Sequence, residues 1–464
     1  MSEHKTGSRE DLFYAPKNGW EQISPLEKRD CFAYCADYAA YLDAGRTERE
    51  AVAAAIALAE TRGFRAYEPG MALKAGDRIY QSNRGRALML AVIGRESLAR
   101  GAVIAAAHVD SPRLDLKHIP LYEEADMAYF KTHYYGGIKK YQWTAIPLEL
   151  HGVVYLRDGS RVDVVIGRDK ADPQLVITDL LPHLGGEQMQ KKANQVIAGE
   201  GLNLLIGSIP QGNEGSDRVK LAILSLLFDR YGIREEDFLS ADLTAVPAFD
   251  TRDIGLDRGL IGAYGHDDRV CAYAELRAIL DCKDPVRTAV CILADKEEIG
   301  SEGVSGMQSS AFETFMEDLC ESQGVALRRC LEKSFCLSAD VCNAYDPNFP
   351  EVSDKRNNAR AGYGLAVLKH TGSGGKSGSS EADASIVADL RRVFGEAGVV
   401  WQMGELGKVD AGGGGTVAKF MAKRNIDTID AGVPVLSMHA PFEVVSKLDC
   451  WMTYKGCKAL YEMN

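Results

Sequence analysis

The sequence predicts an α/β fold class, a mainly parallel mixed sheet flanked by helices, with a β-rich domain inserted in the chain. Toward both ends, short apolar runs suited to buried strands alternate with helical stretches, which favours a sheet covered by helices. In the middle, LELHGVVYLRDGSRVDVVIG (148–167) contains two β-rich runs joined at an Asp-Gly pair, a strong hairpin signal. We therefore predict a discontinuous α/β domain, residues 1–117 and 246–464, and an inserted domain, residues 118–245.

Two capping boxes predict helices near the start of the chain. The pairs Ser24–Glu27 and Thr47–Glu50 each place a hydroxyl three residues before a glutamate, which satisfies free amide groups where a helix begins. A further helix is predicted in DDRVCAYAELRAIL (267–280). The runs that resemble strands are RALMLAVIG (86–94), GAVIAAAH (101–108), AVCILAD (289–295), SFCLSAD (334–340), GLAVLKH (364–370) and VPVLSMH (433–439).

Composition excludes several classes of protein. The net charge of −12 argues against a general nucleic-acid or anionic-membrane binder, so we expect neither partner. No apolar run approaches the ~18 residues of a membrane span. The first 14 residues are polar, without the apolar segment of a signal peptide. The chain has 11 cysteines and no CxxC pair, so we expect reduced thiols, a cytoplasmic location and no cysteine zinc site.

Potential metal ligands stand where several apolar runs end. In α/β sheets, sites lie outside the carboxyl ends of the strands, so ligands at scattered sequence positions can converge on one crevice. A further acid lies at the head of the helix predicted after residue 266. The candidate residues are His108 with Asp110, Glu297 with Glu298, Asp340, His439 and Asp267.

Imidazoles and carboxylates suit Zn²⁺, Co²⁺ or Mn²⁺ better than a metal that prefers thiolates. Two such cations ~3.5–4 Å apart would need a bridging carboxylate and would activate water for attack on a carbonyl. An unliganded acid beside them could take the proton from that water. The adjacent pair Glu297 and Glu298 would then divide these roles, one glutamate holding a metal and the other handling protons.

Each candidate taken alone also has an ordinary structural interpretation. A single histidine after an apolar run is usually hydrogen-bonded in the core or at the surface, and an acidic pair commonly begins a helix. Asp268 in particular fits a helix N-cap. Only the joint pattern at four strand ends favours one site. We treat the remaining histidines as structural: His4, His118, His133, His151, His183, His266 and His370.

Five stretches of the sequence resemble the aspartyl aminopeptidase family of cytosolic dinuclear metallo-aminopeptidases. They are HVDSP (108–112), YYGGIKKYQW (134–143), DKEEIGSEG (295–303), SADVCNAYDPNF (338–349) and LSMHAPFE (436–443). The resemblance extends from about residue 80 to the C-terminus and is weakest in the insert. It implies that the discontinuous domain is catalytic and that the insert builds a dimer, with dimers assembling into a dodecamer.

The resemblance also implies individual roles. The metal ligands would be His108, Asp267, Glu298, Asp340 and His439, with Asp267 as the bridge. Glu297 would be the general base, and Asp110 would hold and polarise His108. A cis peptide is expected at Asp267–Asp268. Lys369, in AVLKH, matches a family lysine near the substrate pocket.

One position departs from the family pattern. Many members carry a histidine three residues after the ligand aspartate, where this chain has Asn343. Asparagine can donate a hydrogen bond to an oxyanion but cannot be a cation. A strict preference for N-terminal Asp or Glu is therefore in doubt, and a broader or neutral preference is an alternative.

Two glycine-rich runs allow further interpretations. HTGSGGKS (370–377) partly fits a phosphate-binding loop, but His370 occupies the place of its first glycine and Lys376 also fits a solvated charge. AGGGGT (411–416) lies between two of the proposed site strands. Because glycines allow a backbone to approach a ligand closely, we place Gly415 against the substrate.

The leading hypothesis is therefore a metal-dependent aminopeptidase that uses two divalent ions, zinc first and cobalt or manganese as alternatives. Its substrates would be peptides with a free N-terminus. Another dinuclear amidase, such as a carboxypeptidase or deacylase, is the nearest alternative. A non-catalytic relative that assembles with itself and binds cargo is an alternative of another class.

Overall fold

The computed structural model describes residues 12–463. His4 and most of the polar N-terminal segment lie outside the described residues. The helices with bounds inside the described range are α1 (Pro25–Ala44), α2 (Glu48–Thr61), α3 (Gly186–Met189), α4 (Arg218–Tyr231), α5 (His266–Asp281), α6 (Ala311–Glu321), α7 (Leu327–Leu331), α8 (Ala384–Glu396), α9 (Ala418–Lys423) and α10 (Lys447–Tyr461).

The strands form three sheets. Their bounds are β1 (Arg65–Ala66), β2 (Arg78–Asn83), β3 (Ala87–Val92), β4 (Val103–His108), β5 (Arg113–Glu124), β6 (Met127–Tyr135), β7 (Leu148–Tyr155), β8 (Arg161–Ile166), β9 (Asn203–Gly207), β10 (Ala241–Pro247), β11 (Arg252–Ile254), β12 (Leu260–Ala263), β13 (Ala289–Ala294), β14 (Phe335–Ser338), β15 (Cys342–Asn343), β16 (Leu365–Leu368), β17 (Trp401–Met403), β18 (Asp427–Gly432), β19 (Pro434–Leu436) and β20 (Glu443–Ser446).

The largest sheet confirms the predicted α/β class. Its nine strands follow the order β1-β2-β3-β13-β4-β14-β18-β16-β17. The central strands β13, β4, β14 and β18 run parallel, while β2 and β3 pair antiparallel. The carboxyl ends of the parallel strands therefore meet at one edge of the sheet.

Both faces of this sheet are buried under helices. Along β4, Val103 and Ala105 pack in the apolar cluster that includes residues of α1, α5 and α10. The alternate residues Ile104 and Ala106 pack in a second cluster with residues of α6 and α7. A strand buried on both faces reads as a continuous apolar run, which explains why GAVIAAAH was recognisable as a strand.

The capping boxes are present where they were predicted. Ser24 and Glu27 exchange side-chain and backbone hydrogen bonds at the start of α1, and Thr47 and Glu50 do the same for α2. All 11 cysteines are free and buried. No helix among residues 12–463 combines the length and the apolar character that crossing a membrane requires.

The middle of the chain forms a six-stranded sheet in the order β8-β7-β10-β5-β6-β9. The hairpin predicted at Asp158-Gly159 joins β7 to β8. Strand β5 begins at Arg113 and passes through position 118, and β10 ends at Pro247. The domain boundaries 118 and 245 stay a prediction, and we refer to the residues of this sheet and its connections as the insert.

The run VPVLSMH (433–439) differs from its prediction. Only Pro434–Leu436 forms a strand, β19, and it belongs to a small five-stranded sheet rather than the large one. The strand of the large sheet in this region is β18. Val433 carries the chain from one sheet to the other, so His439 lies in a turn of the small sheet with φ 64°.

A buried ion pair joins the α/β domain to the insert. Arg46, between α1 and α2, donates from Nε to Glu149 Oε1 of β7 at 2.6 Å, and from Nη2 to the carbonyl of Pro247. Both charged side chains are 1% exposed. Removing one partner of a buried pair leaves an uncompensated charge, so this contact resists separation of the two parts.

We predict that Arg46→Met lowers the free energy of unfolding by about 3 kcal/mol, because Glu149 loses its closest cation inside the protein. Chemical denaturation followed by circular dichroism measures this change. Lys117→Met is the matched control, since its partner Glu200 is 75% exposed and should not shift the midpoint. Equal midpoints for both variants would contradict a structural role for the buried pair.

Candidate metal centre

Strand register brings three of the predicted site segments together. His108, the last residue of β4, pairs directly with Ala294 of β13, so the turn after β13 begins beside it. On the other side of β4, Ser338 of β14 pairs with Ala106. The segments carrying Glu297, Glu298 and Asp340 therefore leave the sheet at the same edge as His108.

Asp267 enters this region from the start of α5. The peptide between Asp267 and Asp268 is cis, as the resemblance implied. Asp267 and Asp268 have non-helical backbone angles, so the regular part of α5 begins after Asp268, which stands at the N-cap position. Its Oδ2 accepts a hydrogen bond from the backbone N–H of His108 at 3.4 Å, and a capping role for its side chain stays a prediction.

The Asp267 carboxylate lies between the two imidazoles. Its Oδ1 is 3.2 Å from Nε2 of His108, and its Oδ2 is 3.1 Å from Nε2 of His439. Around it, ligand atoms within 4.8 Å of one another form two groups that share Asp267. One group contains His108 and Asp340, and the other contains Glu298 and His439.

The donors fit divalent cations. Both groups offer imidazole nitrogen and carboxylate oxygen, the donor set of zinc and of its first-row neighbours. The buried Oε1 of Glu298 has no hydrogen-bond partner. Burial, together with nearby acids, raises the pKa of Glu298 and of Asp340 well above the ordinary range. These carboxylates therefore lack the neighbouring positive charge that would keep them ionised.

The imidazoles respond to the same excess of acids. Burial by itself would lower the pKa of His439, but its hydrogen bond with Asp267 and the charge of Glu298 outweigh burial and raise the pKa to about 10. In return, hydrogen bonds from His108 and His439 overcome the effect of burial on Asp267 and lower its pKa. Asp267 is therefore an ionised carboxylate with one oxygen for each group.

Glu297 stands beside the centre without belonging to either group of ligands. Its Oε2 is 3.8 Å from Nε2 of His108, and its side chain is 17% exposed, against 4% for Glu298. Burial raises the pKa of Glu297 to about 6, supported by Asp110 and Asp267 and opposed by His108 and Lys419. Such an acid can both accept and release a proton near neutral pH.

Asp110 ties the acidic pair to His108. Its Oδ1 accepts from the backbone N–H of Glu297 at 3.1 Å, and its Oδ2 accepts from that of Glu298 at 3.2 Å. Nδ1 of His108 is 2.9 Å from the main-chain oxygen of Asp110 and 3.3 Å from its Oδ1. The imidazole is thereby oriented with Nε2 toward Asp267.

Three supporting residues were not identified from the sequence. Tyr135 donates its hydroxyl to Asp110 Oδ2 at 2.7 Å. Nδ1 of His439 is 2.8 Å from the carbonyl oxygen of Gly137. Glu443 accepts from the backbone N–H of His439 at 2.6 Å and from that of Asp267 at 3.0 Å. All three lie in the quoted motifs YYGGIKKYQW and LSMHAPFE, so these motifs were the sequence signal from which they could have been identified.

A cavity of about 720 Å³ reaches the centre at His439. The insert contributes one wall, the segment after β15 another, and the turn around His439 the third. Asn343, predicted to bind substrate, is part of this lining. The lining residues are Gly137, Ile138, Lys139, Tyr141, Gln142, Asn343, Ala344, Asp346, Phe349, Val352, Ser353, Leu436, Ser437, Met438, His439 and Ala440.

The other predicted substrate residues lie elsewhere. Lys369 follows β16, and its carbonyl accepts from the backbone N–H of Ala382 at 2.8 Å. Gly415 lies against Lys419, whose Nζ would be 2.6 Å from a Cβ at that position. Neither lines the cavity at His439, and their substrate roles stay predictions. The Lys376 ammonium is 2.8 Å from Glu381 at the surface, in keeping with a solvated charge.

The remaining histidines that the structure describes include two deeply buried ones. His266 is 2.7 Å from the hydroxyl of Tyr38 and 3.2 Å from the carbonyl of Ile261, and burial lowers its pKa to about 3. His151 lies between Glu50 and Glu149 at the junction with the insert. Both have the protein partners of a structural histidine.

Comparison with known proteins identifies similar chains. Residues 41–461 match the family model described as aminopeptidase I zinc metalloprotease (M18). An M18 family aminopeptidase 1 of Clostridium acetobutylicum is 46% identical, with 97% of this chain and 98% of the relative aligned. The crystal structure of an M18 aminopeptidase from Thermotoga maritima superposes with a TM-score of 0.93 at 42% identity, covering 97% of this chain and all of that one.

A more distant structure shares the fold. The S. cerevisiae mApe1 dodecamer matches with a TM-score of 0.74 and 19% identity, covering 92% of this chain and 97% of that chain.

We predict that Tyr135→Phe weakens zinc binding about 10- to 100-fold, because Asp110 loses the hydrogen bond that fixes it beside His108 and the acidic pair. Competition with a chromogenic chelator measures the zinc affinity. The neighbouring Tyr134, 40% exposed, provides the control Tyr134→Phe, which should bind zinc like the wild type. If Tyr135→Phe binds zinc equally well, Asp110 does not depend on the tyrosine.

Proposed function

The chain belongs to the aminopeptidase I zinc metalloprotease (M18) family and is a metallo-aminopeptidase, and from this premise we propose a dinuclear centre with Glu297 as its proton carrier. The observation that carries this proposal is the position of Asp267, which offers one oxygen to each of two ligand groups. A single ion would leave one of these groups unused.

The proposed ligands divide as the two groups do. His108 and Asp340 would hold one ion, Glu298 and His439 the other, and Asp267 would contact both. Bound there, the cations polarise the scissile carbonyl and lower the pKa of the attacking water. Zinc is the family's metal, and the same donors also suit cobalt and manganese.

Glu297 is the residue placed to move the proton. Its Oε2 would take a proton from the attacking water and later give it to the amine that leaves. Neither ligand group requires Glu297, and its pKa of about 6 suits an acid that must act in both directions. Asp110 holds the backbone of Glu297 and Glu298, which fixes both acids relative to His108.

The cavity at His439 provides space for the N-terminal residue of the peptide. Asp346 in its lining offers a carboxylate that belongs to neither ligand group, and this acid can pair with the free ammonium group of that residue. Asn343 can donate a hydrogen bond in this cavity but carries no charge, while Lys139 and Asp346 bring one charge of each sign. We therefore infer a preference broader than N-terminal Asp and Glu.

The insert is the proposed dimer interface. Its helix α4 exposes apolar side chains that a partner could cover, with Leu221 49%, Leu226 64% and Phe228 48% exposed. Contiguous exposed apolar surface commonly marks a protein interface. The dodecamer of the similar yeast protein supports further assembly of such dimers.

A cytoplasmic location remains our proposal, supported by the 11 free cysteines, which suit a reducing compartment.

Two alternative functions differ from an aminopeptidase, one in the substrate group that it needs and the other in the residues that it needs. A carboxypeptidase or deacylase would not depend on a free N-terminal ammonium group. A non-catalytic relative would not need an acid poised beside the metal ligands, and Glu297 is retained here with its supporting partner Asp110. Glu297 therefore favours a catalytic chain, and the match to the aminopeptidase family favours action at the N-terminus.

We predict that Glu297→Gln lowers kcat about 10²- to 10⁴-fold without loss of bound zinc, because the amide cannot transfer the proton. Steady-state kinetics and elemental analysis measure the two quantities. Asp340→Asn should instead lower zinc content. The change Glu317→Gln, at an exposed position of α6, controls for the loss of an acid at the surface. Nearly unchanged turnover with Gln at position 297 would exclude the proton-transfer role.

We also predict that X-Ala dipeptides are cleaved only when their N-terminus is free. N-acetylation removes the ammonium group that an aminopeptidase recognises and that Asp346 would pair with, so cleavage should fall below detection. A panel with X as Asp, Glu, Leu, Ala and Lys, tested after loading with Zn²⁺, Co²⁺ or Mn²⁺, reports side-chain preference and metal dependence together. Cleavage of acetylated peptides at equal rates would favour the deacylase or carboxypeptidase alternative.

A further inference from the structure

A second cavity, of about 570 Å³, lies beside the glycine-rich segment 372–380 and α9. It is separate in its lining from the cavity at His439. Its wall carries two ammonium groups, two hydroxyls and one amide, and no carboxylate. The lining residues are Gln308, Gly378, Ser379, Ser380, Lys419, Phe420, Ala422 and Lys423.

Two hydrogen bonds of Gln308 connect this cavity to residues 297–302, which follow β13 and include Glu297 and Glu298. Nε2 of Gln308, at its rim, donates to the carbonyl of Gly300 at 2.9 Å, and Gly300 follows Glu298 by two residues in the same turn. Gln308 also donates to Glu302 at 3.0 Å. Lys419, which also lines the cavity, is close enough for its charge to lower the pKa of Glu297. The cavity therefore adjoins the turn that carries Glu297.

Lys419 is held in place without an anionic partner. It lies on α9 between the buried residues Ala418 and Phe420, with Nζ 4.8 Å from the centre of the Phe420 ring. No carboxylate among residues 12–463 lies within 4.0 Å of its ammonium group. The absence of a side chain at Gly415 leaves room for Nζ, which a Cβ there would approach to 2.6 Å.

The proton transfer from Glu297 to the leaving amine determines which part of the peptide lies beside this cavity. In the proposed function, Glu297 gives its proton to the leaving amine, so the leaving peptide must pass beside Glu297. The cavity at His439 is then left for the N-terminal residue. A group on the leaving side would then meet Lys419, the lysine of that cavity whose charge acts on Glu297.

We propose that Lys419 and the cavity around it bind a carboxylate of the leaving peptide, which makes short peptides with a free C-terminus the favoured substrates. In a dipeptide or tripeptide this group is the terminal carboxylate, and in longer peptides an acidic side chain takes its place. Lys423 adds a second positive charge farther along the same wall. This inference rests on the proposed function, since it assumes that Glu297 faces the leaving group.

The test compares Leu-Ala with Leu-Ala-amide, which differ only in the charge at the C-terminus. Lys419→Met should raise KM for Leu-Ala about tenfold or more, the loss expected for one hydrogen bond to a charged group. The KM for Leu-Ala-amide should change less than about twofold, because the amide has no negative charge for Lys419 to bind. Lys419→Arg keeps the charge and should retain the preference for the free acid. Bound zinc should be equal in all variants.

Lys376→Met is the matched control. Lys376 belongs to the same glycine-rich region, but its ammonium already pairs with Glu381, so both substrates should be cleaved as by the wild type. Equal losses on acid and amide for Lys419→Met would show that the lysine acts through Glu297 or the fold, and would overturn the proposal. Unchanged kinetics on both substrates would overturn it as well.

A failure of the proposed function would give a different kinetic result from a failure of the subsite alone. Fully zinc-loaded wild type that cleaves neither Leu-Ala nor Leu-Ala-amide would reject the aminopeptidase mechanism and the subsite together. A wild type that cleaves both equally well would leave the mechanism intact and reject only the subsite.

Discussion

The crowding of acids around Asp267 is the constraint on which the rest of the centre depends. Buried carboxylates this close together cannot all be ionised unless positive charge lies among them. His108 and His439 hold Asp267 in its charged form, but the neighbouring acids keep raised pKa values because burial and mutual repulsion oppose their charge. The divalent cations that we propose for this centre would resolve this conflict. The four acids are Asp267, Glu297, Glu298 and Asp340.

The same constraint explains why the insert contacts the centre. Proposed ligands that repel one another must be held by hydrogen bonds, and the end of β6 with the residues after it supplies two of these. Tyr135 fixes Asp110, and the carbonyl of Gly137 fixes the imidazole of His439. The insert therefore contributes to ligand geometry as well as to any interface it forms. Separation of the insert from the α/β domain would remove the hydrogen bonds that hold Asp110 and His439.

The sequence predicted those parts of the site that rest on local patterns. A strand buried on both faces is a continuous apolar run, so the acid or histidine that ends it stands out, as His108 does. The supports were not visible because His439 and Gly137 are 302 positions apart, and a backbone carbonyl has no residue type to recognise. His439 was placed on the wrong sheet for a related reason. A chain that passes from β18 to β19 across a single residue still reads as one apolar run.

Under the proposed mechanism, charge would also orient a peptide in this centre. Asp346 in the cavity at His439 would pair with an ammonium group, whereas the wall of the second cavity carries only the positive charges of Lys419 and Lys423. A short peptide has opposite charges at its two ends, so it would bind with its N-terminus toward Asp346 and its carboxylate toward the lysines. The reverse orientation would set like charges against each other at both ends. Electrostatics of this kind select the end of the peptide before any side-chain contact is made.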